Sequence, residues 1–107
     1  MIVRRGSNIA PAEVENVIDD YPGIHASVVV GIPDKHDGQV PVACVALSQD
    51  TQLPTLEELN DYVSARLSAY KCPVHYIFLP ELPRNATGKF DRHRLEELAR
   101  AALSEKQ

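Results

Sequence analysis

Two apolar runs, HASVVVGI at residues 25–32 and VPVACVALS at residues 40–48, constrain this chain more than any other feature. Each is apolar at nearly every position, where a strand with one wet face would alternate with polar residues. Strands of this kind need a covering layer on both sides of their sheet. The turn PDKHDGQ between them predicts a hairpin.

The covering layers are legible on either side. PAEVENVIDDYPG, from residue 11, reads as a helix with Pro11 at its first position, Glu13 and Glu15 near its positive end, and Val14, Val17 and Ile18 as its apolar face. TLEELNDYVSARLSAY, residues 55–70, predicts a second helix opened by a Thr55/Glu58 capping box, with Leu56, Leu59, Val63, Leu67 and Tyr70 at helical spacing. Lys71-Cys72-Pro73 breaks it, VHYIFLP follows as a strand, and a last helix runs from an Asp91 cap through Leu95, Leu98 and Ala102. At the start, IVRRGSNIA reads as two short extended pieces around Arg5-Gly6-Ser7. The expected fold is α+β: a small mixed β-sheet with an N-terminal β-hairpin, covered by about three helices, in one domain over residues 1–107.

Several function classes drop out. No apolar run approaches the roughly 20 residues of a membrane span, and MIVRRGSN lacks a secretory core, so the chain reads as cytoplasmic. Cys44 and Cys72 read as reduced, buried thiols. The four histidines are dispersed, and Asp34, His36 and Asp37 read as a solvated turn, so no metal site is expected.

Charge points instead to one segment. The net charge is −4, yet residues 84–94 hold Arg84, Lys89, Arg92 and Arg94 against Asp91, a local +3 on a body of −7. That distribution suits a local anionic ligand and argues against a general nucleic-acid surface. The segment PRNATGKF, residues 83–90, sets Lys89 after Gly88 in a run of small polar residues. A P-loop would need glycine at Pro83 and Ser or Thr at Phe90, so that reading fails twice. Asn85-Ala86-Thr87 also matches a glycosylation sequon, which without a secretory signal has no bearing.

Three segments, in order, resemble the C-terminal domain of the adenylate-forming superfamily: acyl-CoA synthetases, aryl-CoA ligases, luciferases and peptide-synthetase adenylation domains. They are IVRRGSNIAPAEVE, VVVGIPDKHDGQVPVACVAL and LSAYKCPVHYIFLPELPRNATGKFDRHRLEEL, which ends in the family's Pro-x4-Gly-Lys motif. The resemblance implies a two-step enzyme: a carboxylate attacks the α-phosphate of ATP to give an acyl-adenylate and pyrophosphate, and a thiol, usually of coenzyme A, displaces AMP. Lys89 matches the lysine that bridges carboxylate and phosphate, with Pro83 and Gly88 shaping its loop; the local charge cluster, apart from the resemblance, makes Arg84, Arg92 and Arg94 candidate anion contacts. Gly6, with Arg5 and Ser7, matches a turn that faces the active site only in the thioester-forming orientation.

The resemblance also implies partners. The hinge and the large N-terminal adenylation domain, with the acyl pocket and the sites for ATP and Mg2+, lie outside these residues, so the chain reads as the mobile domain of a longer enzyme and is expected to be inactive alone. It is expected to hold no cofactor by itself. A protein lysine acetyltransferase acting on Lys89 is a further expected partner. IAPAEVE is closer to the acyl-CoA and aryl-CoA ligases, whereas GKFDR has the order common in peptide-synthetase domains. An RNA-binding module of similar β-α-β-β-α-β order is the competing class; it would need exposed aromatics on a central strand, for which Tyr76 and Phe78 are the candidates.

Overall fold

A computed structural model describes residues 1–48 and 54–105. Strands β1 (Ile2–Arg4) and β2 (Ser7–Ile9) form the N-terminal hairpin, followed by helix α1 (Pro11–Asp19), strands β3 (Ile24–Asp34) and β4 (Gly38–Leu47), helix α2 (Leu56–Ser64), strand β5 (His75–Leu79) and helix α3 (Arg92–Glu105). The sheet runs β2-β1-β4-β3. β3 and β4 pair antiparallel from Ile24↔Leu47 to Asp34↔Gly38. The other edge of β4 is shared: β1 meets it at Arg4↔Gly38, and β5 lies parallel beside Val42–Ala46. A parallel neighbour needs a long crossover, and α2 supplies it. The sheet is therefore mixed, as expected.

The apolar runs are covered on both faces. Val29, Ala43 and Val45 point to one side, where they meet Val14 and Ile18 of α1, Leu59 and Val63 of α2, and Ile2 and Ile9 of the hairpin. Val28, Val30, Ile32, Val42, Cys44 and Ala46 point to the other, against Leu95 and Ala99 of α3. Burial pushes the Cys44 thiol up to about 11, which keeps it an inert core side chain. Cys72 is only half-buried. Leu95 is fully buried and is the main anchor of α3. Leu95→Ala is expected to cost about 2–5 kcal/mol, read as a lower midpoint in urea unfolding with an unchanged slope.

The second helix departs from its periodicity. The pattern predicts a helix over 55–70, but α2 ends at Ser64 and the chain resumes as a single 3-10 turn at Ala69–Lys71. The Ser64 hydroxyl donates back to the Asp61 carbonyl, a bond that competes with the helical ladder. Beyond it, tertiary contacts fix the turn: Lys71 Nζ lies 2.8 Å from Glu13, and the Tyr70 carbonyl accepts from Arg4. Tyr70 is accordingly exposed, not part of the core. The capping box is half formed: Thr55 Oγ1 accepts from Glu58 N, while the Glu58 carboxylate accepts from the Tyr21 hydroxyl.

The aromatics required of an RNA-binding sheet are not available. Tyr76 is 4% exposed. Phe78 packs against the α1/α2 core. With helices on both faces, these two side chains offer no stacking platform for bases.

Candidate functional site

Lys89 sits on a miniature hairpin between β5 and α3. Arg84 and Phe90 form an antiparallel bridge, closed by Asn85 N donating to Lys89 O at 2.8 Å and Asp91 N donating to Pro83 O at 2.9 Å. Gly88 turns the loop at φ +87°, where a side chain would be strained. From outside, Arg84 Nη1 donates to the Gly88 carbonyl at 2.7 Å while its guanidinium lies over the Phe90 ring. From inside, Asn85 Oδ1 accepts from Thr87 N, Thr87 Oγ1 and Lys89 N. The loop backbone is thus hydrogen-bonded at Asn85, Thr87, Gly88, Lys89 and Asp91. The Lys89 side chain is exposed and makes no ion pair or hydrogen bond among the described residues.

The other cations of the basic segment are engaged. Arg92 Nη1 donates to the Val29 carbonyl and Nη2 lies 3.3 Å from Glu15, whose carboxylate accepts from Val29 N. This pair caps the outer edge of β3 and ties the start of α3 to α1. Arg94 and His93 both reach Glu97 on their own helix. Asp91 caps that helix by accepting from Arg94 N. Of the basic residues expected to meet an anion together, only Lys89 makes no hydrogen bond, ion pair or ring contact with its side chain among the described residues.

The N-terminal turn is built differently. Arg5 and Gly6 have φ of +50° and +80°, the pair of positive angles that type I′ hairpin turns need. A positive φ at arginine is costly, and Asp37 offsets it: Arg5 N donates to the Asp37 carbonyl, and Arg4 Nε and Arg5 Nε both donate to its carboxylate. These guanidinium hydrogen bonds hold the Asp37 carboxyl below the usual carboxylate range. Asp34 in turn accepts from His36 N and Asp37 N. Both carboxylates of the PDKHDGQ turn are therefore occupied within the protein, and no group of three or more His, Cys, Asp and Glu among the described residues is arranged to hold a metal. Nothing lies within 4 Å of where a Gly6 Cβ would stand, and Ser7 beside it is exposed.

Because the folded Asp37 value is depressed, its contribution to stability is present above the ordinary aspartate value of 3.8 and is lost as pH falls through the lower folded value. Asp37→Asn is expected to destabilise the chain near neutrality, with the gap from wild type narrowing in acid. Urea midpoints of both proteins, measured from pH 7 down to about pH 3, check the convergence.

The two loops lie at opposite ends of the β3/β4 hairpin. The Gly6 turn adjoins Arg4↔Gly38 and Asp34↔Gly38 at one end. At the other, a crevice of about 340 Å³ under the Lys89 loop is lined by His25, Ala26, Ala46, Glu81, Leu82, Arg84 and Phe90. Eight residues separate Ala26 from Asp34 along β3, about 27 Å at ~3.4 Å per residue.

The residues missed in the sequence are those that support the loops. Asn85 carried a usable signal, since Asn-x-Thr before a glycine is an Asx-turn pattern as well as a sequon. Asp37 and Glu15 carried none, because their partners lie 32 and 77 positions away.

The α+β domain thus presents one lysine loop and one glycine turn from opposite ends of a central hairpin. Residues 13–89 match the AMP-binding enzyme C-terminal domain family. The chain belongs to that family. It is 42% identical over 98 residues to a 2-succinylbenzoate–CoA ligase of Bacillus cereus, covering 92% of this chain and 20% of that one. A fatty acid–[acyl-carrier-protein] ligase of Streptomyces coeruleorubidus is 36% identical, at 90% and 18% coverage. Among solved structures, a Mycobacterium tuberculosis fatty acyl CoA synthetase superposes with a TM-score of 0.84 at 36% identity, covering 95% of this chain and 20% of that one. The chain spans between 16% and 21% of the length of the curated relatives it matches. No helix among the described residues is long and apolar enough to cross a membrane.

Proposed function

We propose that this domain is the mobile catalytic C-terminal part of a cytoplasmic, ATP-dependent acyl-CoA synthetase, working against an N-terminal adenylation domain that binds the carboxylic acid and ATP with Mg2+. The observation that carries the reading is the Lys89 ammonium, projecting without an ionic partner among the described residues from a loop whose backbone is hydrogen-bonded at Asn85, Thr87, Gly88 and Lys89. In the first step a carboxylate oxygen attacks the α-phosphorus, the bond to the bridging oxygen of pyrophosphate breaks, and negative charge concentrates between two anions. A compact cation on a long stem suits that place. In the second step a thiolate attacks the acyl carbonyl and AMP leaves. Gly6, with open space around its Cα, fits a passage for the narrow pantetheine arm of coenzyme A. Pro83 and Gly88 shape the lysine loop, while Arg5 and Ser7 flank the glycine.

The spacing of the two loops along β3 supports a domain that must rotate between steps, since one rigid body cannot bring both to the same centre. The test is carboxylate-dependent exchange of pyrophosphate into ATP by the full-length enzyme across a panel of straight-chain and aromatic acids. Exchange with at least one acid is expected; none with any acid overturns the reading.

The relative that acylates a carrier protein favours a second acceptor. Supplying coenzyme A and a phosphopantetheinylated carrier protein in parallel distinguishes the two thiols. Lys89 is also proposed as a target of a protein lysine acetyltransferase, because an exposed lysine between small residues is accessible and acetylation removes the charge that adenylation uses. Peptide mapping after incubation with such an enzyme is expected to find Lys89 modified.

A further inference from the structure

We infer that Asn85 is a positioning residue for Lys89, acting through the loop backbone and not by touching substrate; this rests on the reading of Lys89 as the adenylation cation. Asn85 grips the lysine on both sides of its Cα. Its backbone N–H donates to the Lys89 carbonyl at 2.8 Å, and its side-chain Oδ1 accepts from the Lys89 N–H at 3.2 Å. The same oxygen accepts from Thr87 N at 3.0 Å and Thr87 Oγ1 at 2.7 Å, and the Asn85 carbonyl accepts from Gly88 N at 3.0 Å. One side chain therefore sets the heights of Thr87 and Lys89 together, across a glycine with no side chain of its own to resist movement.

The need for such a grip follows from the chemistry. The Lys89 stem is flexible and exposed, so the direction of its Cα–Cβ bond is the orientation this loop can impose. A displacement near 1 Å at a reacting centre can cost about 10²-fold in rate. Asn85, Ala86 and Thr87 are all exposed, and the donors released on losing Oδ1 can turn to water, so the grip contributes order to the loop more than stability to the domain.

The experiment separates these roles. In the full-length enzyme, Asn85→Ala is expected to lower the kcat of adenylation about 10- to 100-fold. The conversion of preformed acyl-adenylate to thioester, which does not use Lys89, stays within twofold and the melting temperature is unchanged. Asn85→Ser, whose hydroxyl makes the same turn more weakly, recovers part of the rate. Amide hydrogen exchange at Lys89 is the readout independent of activity: it is expected to be slower in wild type than in Asn85→Ala.

Adenylation within twofold of wild type in Asn85→Ala, where Lys89→Ala slows it about 10²–10³-fold, overturns the positioning role and leaves the Lys89 assignment standing. If Lys89→Ala itself has no effect, the functional reading fails, and the Lys89 amide exchange still decides whether Asn85 holds the loop. Equal losses in both half-reactions with a lowered melting temperature reduce Asn85 to a folding role and overturn the inference.

Discussion

Lys89→Ala in the full-length enzyme is expected to slow adenylation by about 10²–10³-fold, the loss found when one donor to a developing oxyanion is removed, ~2.7–4 kcal/mol. The effect should fall mainly on kcat. An ammonium that meets charge only as carboxylate and phosphate approach stabilises the transition state more than the ground state, so the KM values for acid and ATP change little. Thioester formation from preformed acyl-adenylate should be untouched, because the lysine loop lies at the opposite end of the β3/β4 hairpin from the glycine turn then in use. Folding is not at stake: the side chain is exposed and makes no hydrogen bond or ion pair in the described residues that its removal would break. Lys89→Arg should rescue poorly, since a planar guanidinium is broader and its charge more diffuse. Near-normal pyrophosphate exchange in Lys89→Ala would remove the assignment.

What the sequence revealed of this fold follows from the range of the interactions involved. The β3/β4 pair was legible because strands covered on both faces leave a mark in one dimension: nearly every residue is apolar. The extent of α2 was not, because Ser64 and the Lys71–Glu13 and Arg4–Tyr70 contacts end it before its periodicity does. The same division runs through the site. Lys89 and Gly6 stood out as a lysine and a glycine in short local patterns. The roles of Arg4, Arg5 and Arg92 as structural donors did not, since each depends on a carboxylate or carbonyl brought close only by folding: Asp37 for the first two, Glu15 and Val29 for the third. Among the described residues the basic cluster seen in the composition is thus two ion-paired arginines, Arg92 and Arg94, an Arg84 held by the Gly88 carbonyl and the Phe90 ring, and one lysine that projects. A count of charges cannot distinguish paired from unpaired cations.

Gly6→Leu should leave adenylation near normal and slow thioester formation roughly 5- to 150-fold, the consequence of ~1–3 kcal/mol of overpacking in a passage with no spare room. In the isolated domain a Cβ at this position meets nothing within 4 Å, so any steric penalty must come from what docks against the turn. Backbone strain is a competing cause, because Gly6 has φ +80° and any L-residue there loses about 1–2 kcal/mol. Gly6→Ala separates the two. Alanine and leucine pay the same strain at the turn, and both should lower the unfolding midpoint equally, but only leucine reaches far enough to fill the passage. A thioester rate that falls for leucine and stays near wild type for alanine therefore assigns the defect to space beside the turn. Equal loss of adenylation and thioester formation in Gly6→Leu would mean that the two loops do not serve separate steps, and the rotating two-face arrangement would fall with them.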